Sequence, residues 1–187
     1  MPLVFKDLFG NSNPVELEIG CGKGKFLLER ALADPATNFI GIDRVVKWMR
    51  RRKDRVEREG TPNIRFLRAE ARAFLTGAVP PESLSMIHLY FPDPWPKRRH
   101  RDRRVLTEDF LRLMQSRLMS RGKLEIATDH PDYYDSMKKT VAAAPGLWDN
   151  ARETRNERIV GRTQKTNYEL KFEAEGKPLF YMELVKL

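Results

Sequence analysis

Apolar and polar positions along this chain switch repeatedly between a period of two and a helical period. Val15-Glu16-Leu17-Glu18-Ile19 alternates as a strand does and ends at a group of glycines. Lys25 to Ala33 carries helical spacing at Phe26, Leu27, Arg30 and Ala31. A short apolar strand, Asn38 to Asp43, leads into a helix over 44–58 that Gly60 and Pro62 close. Ile64 to Leu67 is a third strand, and Met86-Ile87-His88-Leu89-Tyr90 a fourth, buried one. Thr107 caps a helix running to Met119, and Gly122 opens a fifth strand, Lys123 to Ala127. The alternation predicts an α/β fold with a mostly parallel sheet and helices on both faces, in one domain over 1–187. Pro178 to Leu187 reads as a further strand. Asn167 to Ala174 fits either a hairpin strand (Tyr168, Leu170, Phe172, Ala174) or a helix with Tyr168 and Phe172 four apart.

Sheets of this kind hold ligands outside the carboxyl ends of their strands. Glycines 20–24, Asp43, Glu70, Asp93 and Asp129 each follow a strand and so share one edge. In Gly20-Cys21-Gly22-Lys23-Gly24 the alternate glycines permit a tight turn and let a ligand lie on bare backbone. The dinucleotide fingerprint places its third glycine three residues after the second, where this chain has Lys25. With Glu18 two residues before Gly20, the turn resembles that of S-adenosylmethionine-dependent methyltransferases more closely. Glu18 is then placed to attract the cationic methionine end of the donor, and Asp43 to accept both ribose hydroxyls. Glu70 either holds the adenine amino group or serves as an acid at a helix start. Cys21 reads as a packed turn residue, since nothing near it in sequence orients a thiolate.

The fourth strand runs into Phe91-Pro92-Asp93-Pro94-Trp95-Pro96-Lys97. Each proline fixes its own φ and pushes the preceding residue toward an extended conformation, so the loop is stiff and presents one carboxylate and one indole. Asp93 competes with a plain turn role, and Trp95 with a wall or core role. A basic run follows immediately.

The formal net charge is +9 and the pI about 9.8. Residues 44–58 hold eight Lys/Arg against Asp54 and Glu57, and 97–104 hold six against Asp102, together more than the whole net charge. Such localisation is the footprint of a polyanion partner, set against a merely solvated basic face. On a helix Arg44, Lys47, Arg51, Arg55 and Arg58 form one solvent-facing stripe, with Val45, Met49 and Val56 opposite it and packed on the sheet. Arg98, Arg99, Arg101, Arg103 and Arg104 lie beside Asp93, so both patches are candidate phosphate surfaces. Cys21 is the only cysteine, which excludes an internal disulfide and suggests a reducing compartment. No apolar run reaches membrane-spanning length and no signal pattern opens the chain, so the expected location is the cytoplasm. His88, His100 and His130 lack metal-ligand spacing, and no metal is expected.

Taken together, Phe9-Gly10-Asn11, Pro14, Leu17 to Gly24, Phe91 to Lys97 followed by Arg99-His100 and Arg103-Arg104, and Ala127-Thr128-Asp129 resemble the bacterial tRNA (guanine-N7)-methyltransferase family over nearly the whole chain. The resemblance implies a Rossmann-like class I methyltransferase fold with a mostly parallel seven-stranded sheet. It implies S-adenosylmethionine as donor and tRNA as partner, with guanine 46 of the variable loop as target. By position it makes Asp93 the catalytic aspartate at the donor's edge, and Glu18, Gly20, Gly22, Gly24, Asp43 and Glu70 donor contacts. It makes Lys97, Asp129, Thr166, Asn167, Tyr168 and Glu169 substrate contacts, which favours the helical reading of 167–174. Asp43 stands where family members often carry glutamate, and Glu70 where aspartate is usual. On residue type alone, Thr166 and Glu169 form a helix-capping pair, and Asp129 is an N-cap with Asp132 behind it. A monomer or homodimer is expected. A methyltransferase for another base, a small molecule or a protein, and a non-catalytic RNA-binding module, are the other readings of the pattern.

Overall fold

In chain order the elements are α1 (Phe5–Phe9), β1 (Val15–Ile19), α2 (Lys25–Ala33), β2 (Asn38–Asp43), a 3-10 turn (Val46–Trp48), α3 (Met49–Glu59), β3 (Ile64–Arg68), α4 (Ala71–Gly77), β4 (Leu84–Tyr90), a 3-10 segment (Arg98–Arg103), α5 (Glu108–Arg117), β5 (Leu118–Thr128), α6 (Pro131–Ala142), β6 (Trp148–Arg155), α7 (Asn167–Ala174) and β7 (Phe180–Lys186). They come from a computed structural model that describes residues 2–157 and 163–187. Residues 158–162, within the segment 156–166, lie outside the described residues.

The strands form one sheet in the order β3-β2-β1-β4-β5-β7-β6. All pairings from β3 through β5 are parallel, while β7 runs antiparallel to both β5 and β6. The chain therefore reverses outward from β1, first toward β3 and then, through β4, toward β6. That reversal leaves a crevice at the carboxyl ends of β1 and β4.

The sheet is covered on both faces. Leu17, Ile40, Ile87, Leu89, Leu124 and Ile126 meet Phe74, Phe110, Leu111, Met114, Tyr133 and Met137 of α4, α5 and α6. On the opposite face Phe39, Ile64, Tyr90 and Tyr181 meet Phe26, Leu27 and Ala31 of α2 and Phe172 of α7. Truncating a fully buried leucine such as Leu27 in packing of this kind costs about 2–5 kcal/mol. This second face also buries a polar row. His88 Nε2 lies 2.8 Å from Glu16 Oε2, Arg30 Nη2 lies 2.9 Å from Glu16 Oε1, and the Tyr90 hydroxyl donates to Glu125 at 2.5 Å. His88 is thus a strand residue held by hydrogen bonds across the sheet.

Several boundaries differ from the sequence reading. The basic helix begins with a 3-10 turn, and Val45 is about half exposed rather than packed on the sheet. The fifth strand starts at Leu118, because Leu84 pairs with Leu118 and Met86 with Lys123, which bulges the residues between. Gly122 belongs to that bulge, where a Cβ would sit 2.8 Å from the Met119 carbonyl oxygen. Residues 167–174 are helical, and their amino end is fixed by a capping box in which Thr166 Oγ1 accepts from Glu169 N and Glu169 Oε2 accepts from Thr166 N. The edge strand β6 (WDNARETR) has no apolar alternation to betray it.

Candidate active site

The crevice holds a cleft of about 790 Å³ lined by Gly20 and Gly22 after β1, Asp43 ending β2, Glu70 after β3 and Asp93 after β4. An adjoining cavity of about 400 Å³ is lined by Glu18, Gly20, Lys23, Phe91, Thr166, Asn167 and Tyr168. Trp48, Tyr90 and Tyr168 belong to the walls of both.

The glycine turn is clamped at its centre. Gly22 N donates to Asp43 Oδ2 at 2.8 Å, and the Gly22 carbonyl accepts from Arg52 Nε at 2.7 Å. Arg52 Nη2 stands 3.3 Å from the same Asp43 oxygen. Gly20 and Gly24 have φ of +79° and +71°, conformations that side chains rarely adopt. A Cβ on Gly24 would lie 2.6 Å from Phe66 of β3, whereas one on Gly20 would project into open space. Bare backbone therefore faces the cleft at residue 20, and close packing against the sheet demands glycine at residue 24. Cys21 is buried, and desolvation, reinforced by Glu18, pushes its thiol well up, as suits a packed turn residue.

Asp43 is already engaged, since its second oxygen accepts from Val45 N at 2.8 Å. A carboxylate has about four lone-pair sites, so acceptor capacity remains toward the cleft. Glu70 is the N-cap of α4, and its two oxygens accept from Arg72 N at 3.1 Å and Ala73 N at 2.8 Å. Desolvation raises this carboxyl, but the Ala73 and Arg72 amides, with Arg44 and Arg72, outweigh it and hold it below the usual carboxylate range. Glu70→Ala is expected to cost about 1 kcal/mol at neutral pH. Because the folded value is the depressed one, that contribution exists above the unfolded pKa and is lost as pH falls through the folded one. Denaturant unfolding of both proteins, repeated toward acid pH, should show their stabilities converging.

Asp93 is exposed in the cleft, and among the described residues its carboxylate accepts no hydrogen bond. A turn residue bonded to its own loop is therefore not what the structure contains. The loop is less extended than its prolines suggest. Phe91 and Trp95, both before a proline, have φ of +48° and +42°, a conformation costing about 1–3 kcal/mol per residue and kept only where surroundings impose it. Here Phe91 N donates to the Ala127 carbonyl at 2.8 Å, and the Phe91 ring packs on Tyr168 and Phe172. Trp95 stands edge-on to His100 with Arg103 above it at 5.1 Å, a half-buried wall of the cleft.

The basic segments divide by burial. Arg44, Lys47, Arg51 and Arg58 are exposed and Arg55 is half-buried, so the stripe faces outward. Arg52 lies on the inward side of α3 with its side chain fully buried, and sequence reasoning passed over it. Its angular position among Val45, Met49 and Val56 was the available signal. In the second segment Lys97, Arg98, Arg99, Arg101 and Arg103 are exposed. Arg104 is not a surface residue. It is 7% exposed, donates to the Pro94 carbonyl at 2.9 Å, pairs with Asp132 at 2.5 Å and lies 4.7 Å from the Tyr133 ring centroid. Its guanidinium thus ties the Asp93 loop to α6.

Of the other substrate candidates, Thr166, Asn167 and Tyr168 line the smaller cavity, but Glu169 is buried in the capping box and accepts from the Tyr181 hydroxyl at 3.1 Å. Asp129 lies outside both linings, 3.9 Å from Lys177, and Lys97 also lies outside them. The N-cap of α6 is His130 rather than Asp129, because Pro131 takes the first helical position.

The family model described as "Putative methyltransferase" matches residues 12–182. A tRNA (guanine-N(7)-)-methyltransferase from Geobacter metallireducens is 36% identical over 185 residues, 99% of this chain and 88% of that protein. The protein of the same name from Saccharophagus degradans is 39% identical over 145 residues, which is 78% of this chain and only 63% of that protein. Among solved structures, the 16S rRNA methyltransferase KamB superposes with a TM-score of 0.68 at 18% identity, covering 98% of this chain and 93% of that one. The last likeness shows the fold alone.

Proposed function

The chain belongs to the bacterial tRNA (guanine-N7)-methyltransferase family, and from that membership we propose that it transfers a methyl group from S-adenosylmethionine to N7 of a guanine in tRNA. We further infer that the target is guanine 46 of the variable loop. The observation that carries the reading is the unengaged Asp93 carboxylate, which opens into the same cleft as the glycine turn and Asp43.

The cleft suits this donor. Bare backbone at Gly20 offers a flat floor, and Asp43 keeps acceptor capacity for ribose hydroxyls. Glu18, on the wall of the adjoining cavity, would supply negative charge for the ammonium end, and Glu70, which lines the cleft from its cap, would be the adenine contact. When bound, the donor supplies an electrophilic methyl on a sulfonium.

Guanine N7 has a lone pair and no proton, so no base is needed to create the nucleophile, and orientation supplies most of the acceleration. Asp93 can accept from the guanine N1–H and exocyclic amine, a donor pair that adenine lacks. Its charge also stabilises the cationic 7-methylguanine as it forms. Tyr168 and Trp95, on the cleft walls, limit how the base enters. Arg104 holds the loop that carries Asp93.

Incubation with unmodified tRNA and labelled donor, followed by nucleoside analysis, should yield 7-methylguanosine. Label in another nucleoside, or none with donor bound, would reject the reading.

The exposed stripe and the 97–103 turn are assigned to tRNA phosphates. Affinity should fall by a decade or more between low and moderate salt. Arg51→Glu with Arg55→Glu should weaken tRNA binding, flatten the salt slope and leave donor affinity unchanged, as titrations at several ionic strengths can measure. An unchanged slope would make the stripe a solvated face.

A further inference from the structure

Trp48 stands where the two cavities meet, half-buried, and lines both. Three cations crowd its ring. Lys23 Nζ and Lys47 Nζ each lie 5.0 Å from the ring, and the Arg51 guanidinium 5.3 Å. Lys47 and Arg51 flank Trp48 along the helix, but Lys23 arrives from the glycine turn, so only the tertiary fold completes the group. Among the described residues none of the three forms an ion pair, although their neighbours Arg52, Lys53 and Arg58 pair with Asp43, Glu57 and Glu59.

Like charges gathered around one ring repel one another, and an anion among them relieves that repulsion. The methyl donor is a poor occupant, because its sulfonium and ammonium outnumber its single carboxylate. A phosphodiester is a good one. The indole adds a second demand, for a flat π-surface. An indole has two faces for three cations, so a nucleobase can take one face while the displaced cation moves onto the adjoining phosphate. One nucleotide carries both groups.

We propose that Trp48, Lys23, Lys47 and Arg51 seat one nucleotide of the tRNA next to the target guanine, its base stacked on one face of the indole and its phosphate held by the cation that the base displaces. The proposal rests on tRNA being the substrate. Stacking of this kind tolerates any base, so the seat fixes the path of the strand rather than its sequence. Trp48 is then a positioning residue that brings the neighbouring guanine over Asp93.

The test compares Trp48→Ala and Trp48→Phe for tRNA affinity and, by calorimetry, for donor affinity. Trp48→Ala should bind tRNA about tenfold or more weakly and lose clearly less donor affinity than tRNA affinity, with an unchanged unfolding midpoint reporting an intact fold. Trp48→Phe should recover most of the tRNA affinity by keeping an aromatic face. Lys47→Ala with Arg51→Ala should lower the salt slope by about one per lost phosphate contact, a change Trp48→Ala should not produce. In a Trp95→Phe, Trp148→Phe protein, whose remaining tryptophan is Trp48, tRNA should quench the fluorescence more than the donor does. Unchanged tRNA affinity in Trp48→Ala, or a loss of donor affinity equal to the loss of tRNA affinity, would overturn the proposal. Failure of the parent protein to form 7-methylguanosine while still binding tRNA would instead overturn the assigned reaction, and the Trp48 variants would still decide the seat.

Discussion

Asp93→Asn is expected to reduce turnover by about a hundredfold or more while leaving S-adenosylmethionine affinity nearly unchanged, the scale of losing one preorganised electrostatic group. Asparagine keeps the size of the side chain and one oxygen but removes the charge that balances the developing 7-methylguanine cation. Loop geometry should survive, because it is held elsewhere, by Phe91 N on the Ala127 carbonyl and by Arg104 on the Pro94 carbonyl. Single-turnover assays at saturating tRNA and donor isolate the chemical step. Near-parental turnover would remove Asp93 from the charge-stabilising role and leave it a shape element of the cleft.

Arg52→Met is expected to cost about 3–5 kcal/mol of stability, because it removes one partner of a buried pair and leaves the Asp43 carboxylate without its counter-charge. For a chain of this size that lowers the melting temperature by about 6–20 °C. The loss should extend to function, since the same guanidinium holds the Gly22 carbonyl and Asp43 holds the Gly22 amide. Donor affinity should therefore fall, even at temperatures where the variant is folded. Denaturant unfolding and donor calorimetry measure the two effects separately. Loss of stability with full donor affinity would mean that the clamp serves the fold and not the ligand.

The succession of strands β1 to β5 along the chain and their carboxyl-edge acids could be read from the sequence, because apolar period and glycine placement are local signals. Residues 15–19 alternate, residues 20–24 turn, and no other part of the chain is needed to see either. The family resemblance came equally from short contiguous stretches, above all Phe91 to Lys97. What the tertiary structure decided was which charges are inside. Arg52 and Arg51 are adjacent in a run of basic residues, yet one is sealed between Asp43 and Phe66 and the other faces solvent. Arg104 closes a basic cluster but is buried against the Pro94 carbonyl and the ring of Tyr133, twenty-nine residues later in the chain. Periodicity left helix or strand open for 167–174, although the capping pair of Thr166 and Glu169 was a local helix signal. The amphipathic pattern served both periods, and the outcome rests on Glu169 being buried where Thr166 and Tyr181 satisfy it. Strand β6 was invisible because an exposed edge strand buries little and needs no apolar face; it exists through its backbone pairing with β7. Composition and period report how a segment meets solvent on average. The burial of an individual charge depends on a partner supplied by another segment, so it became definite only when the chain had folded.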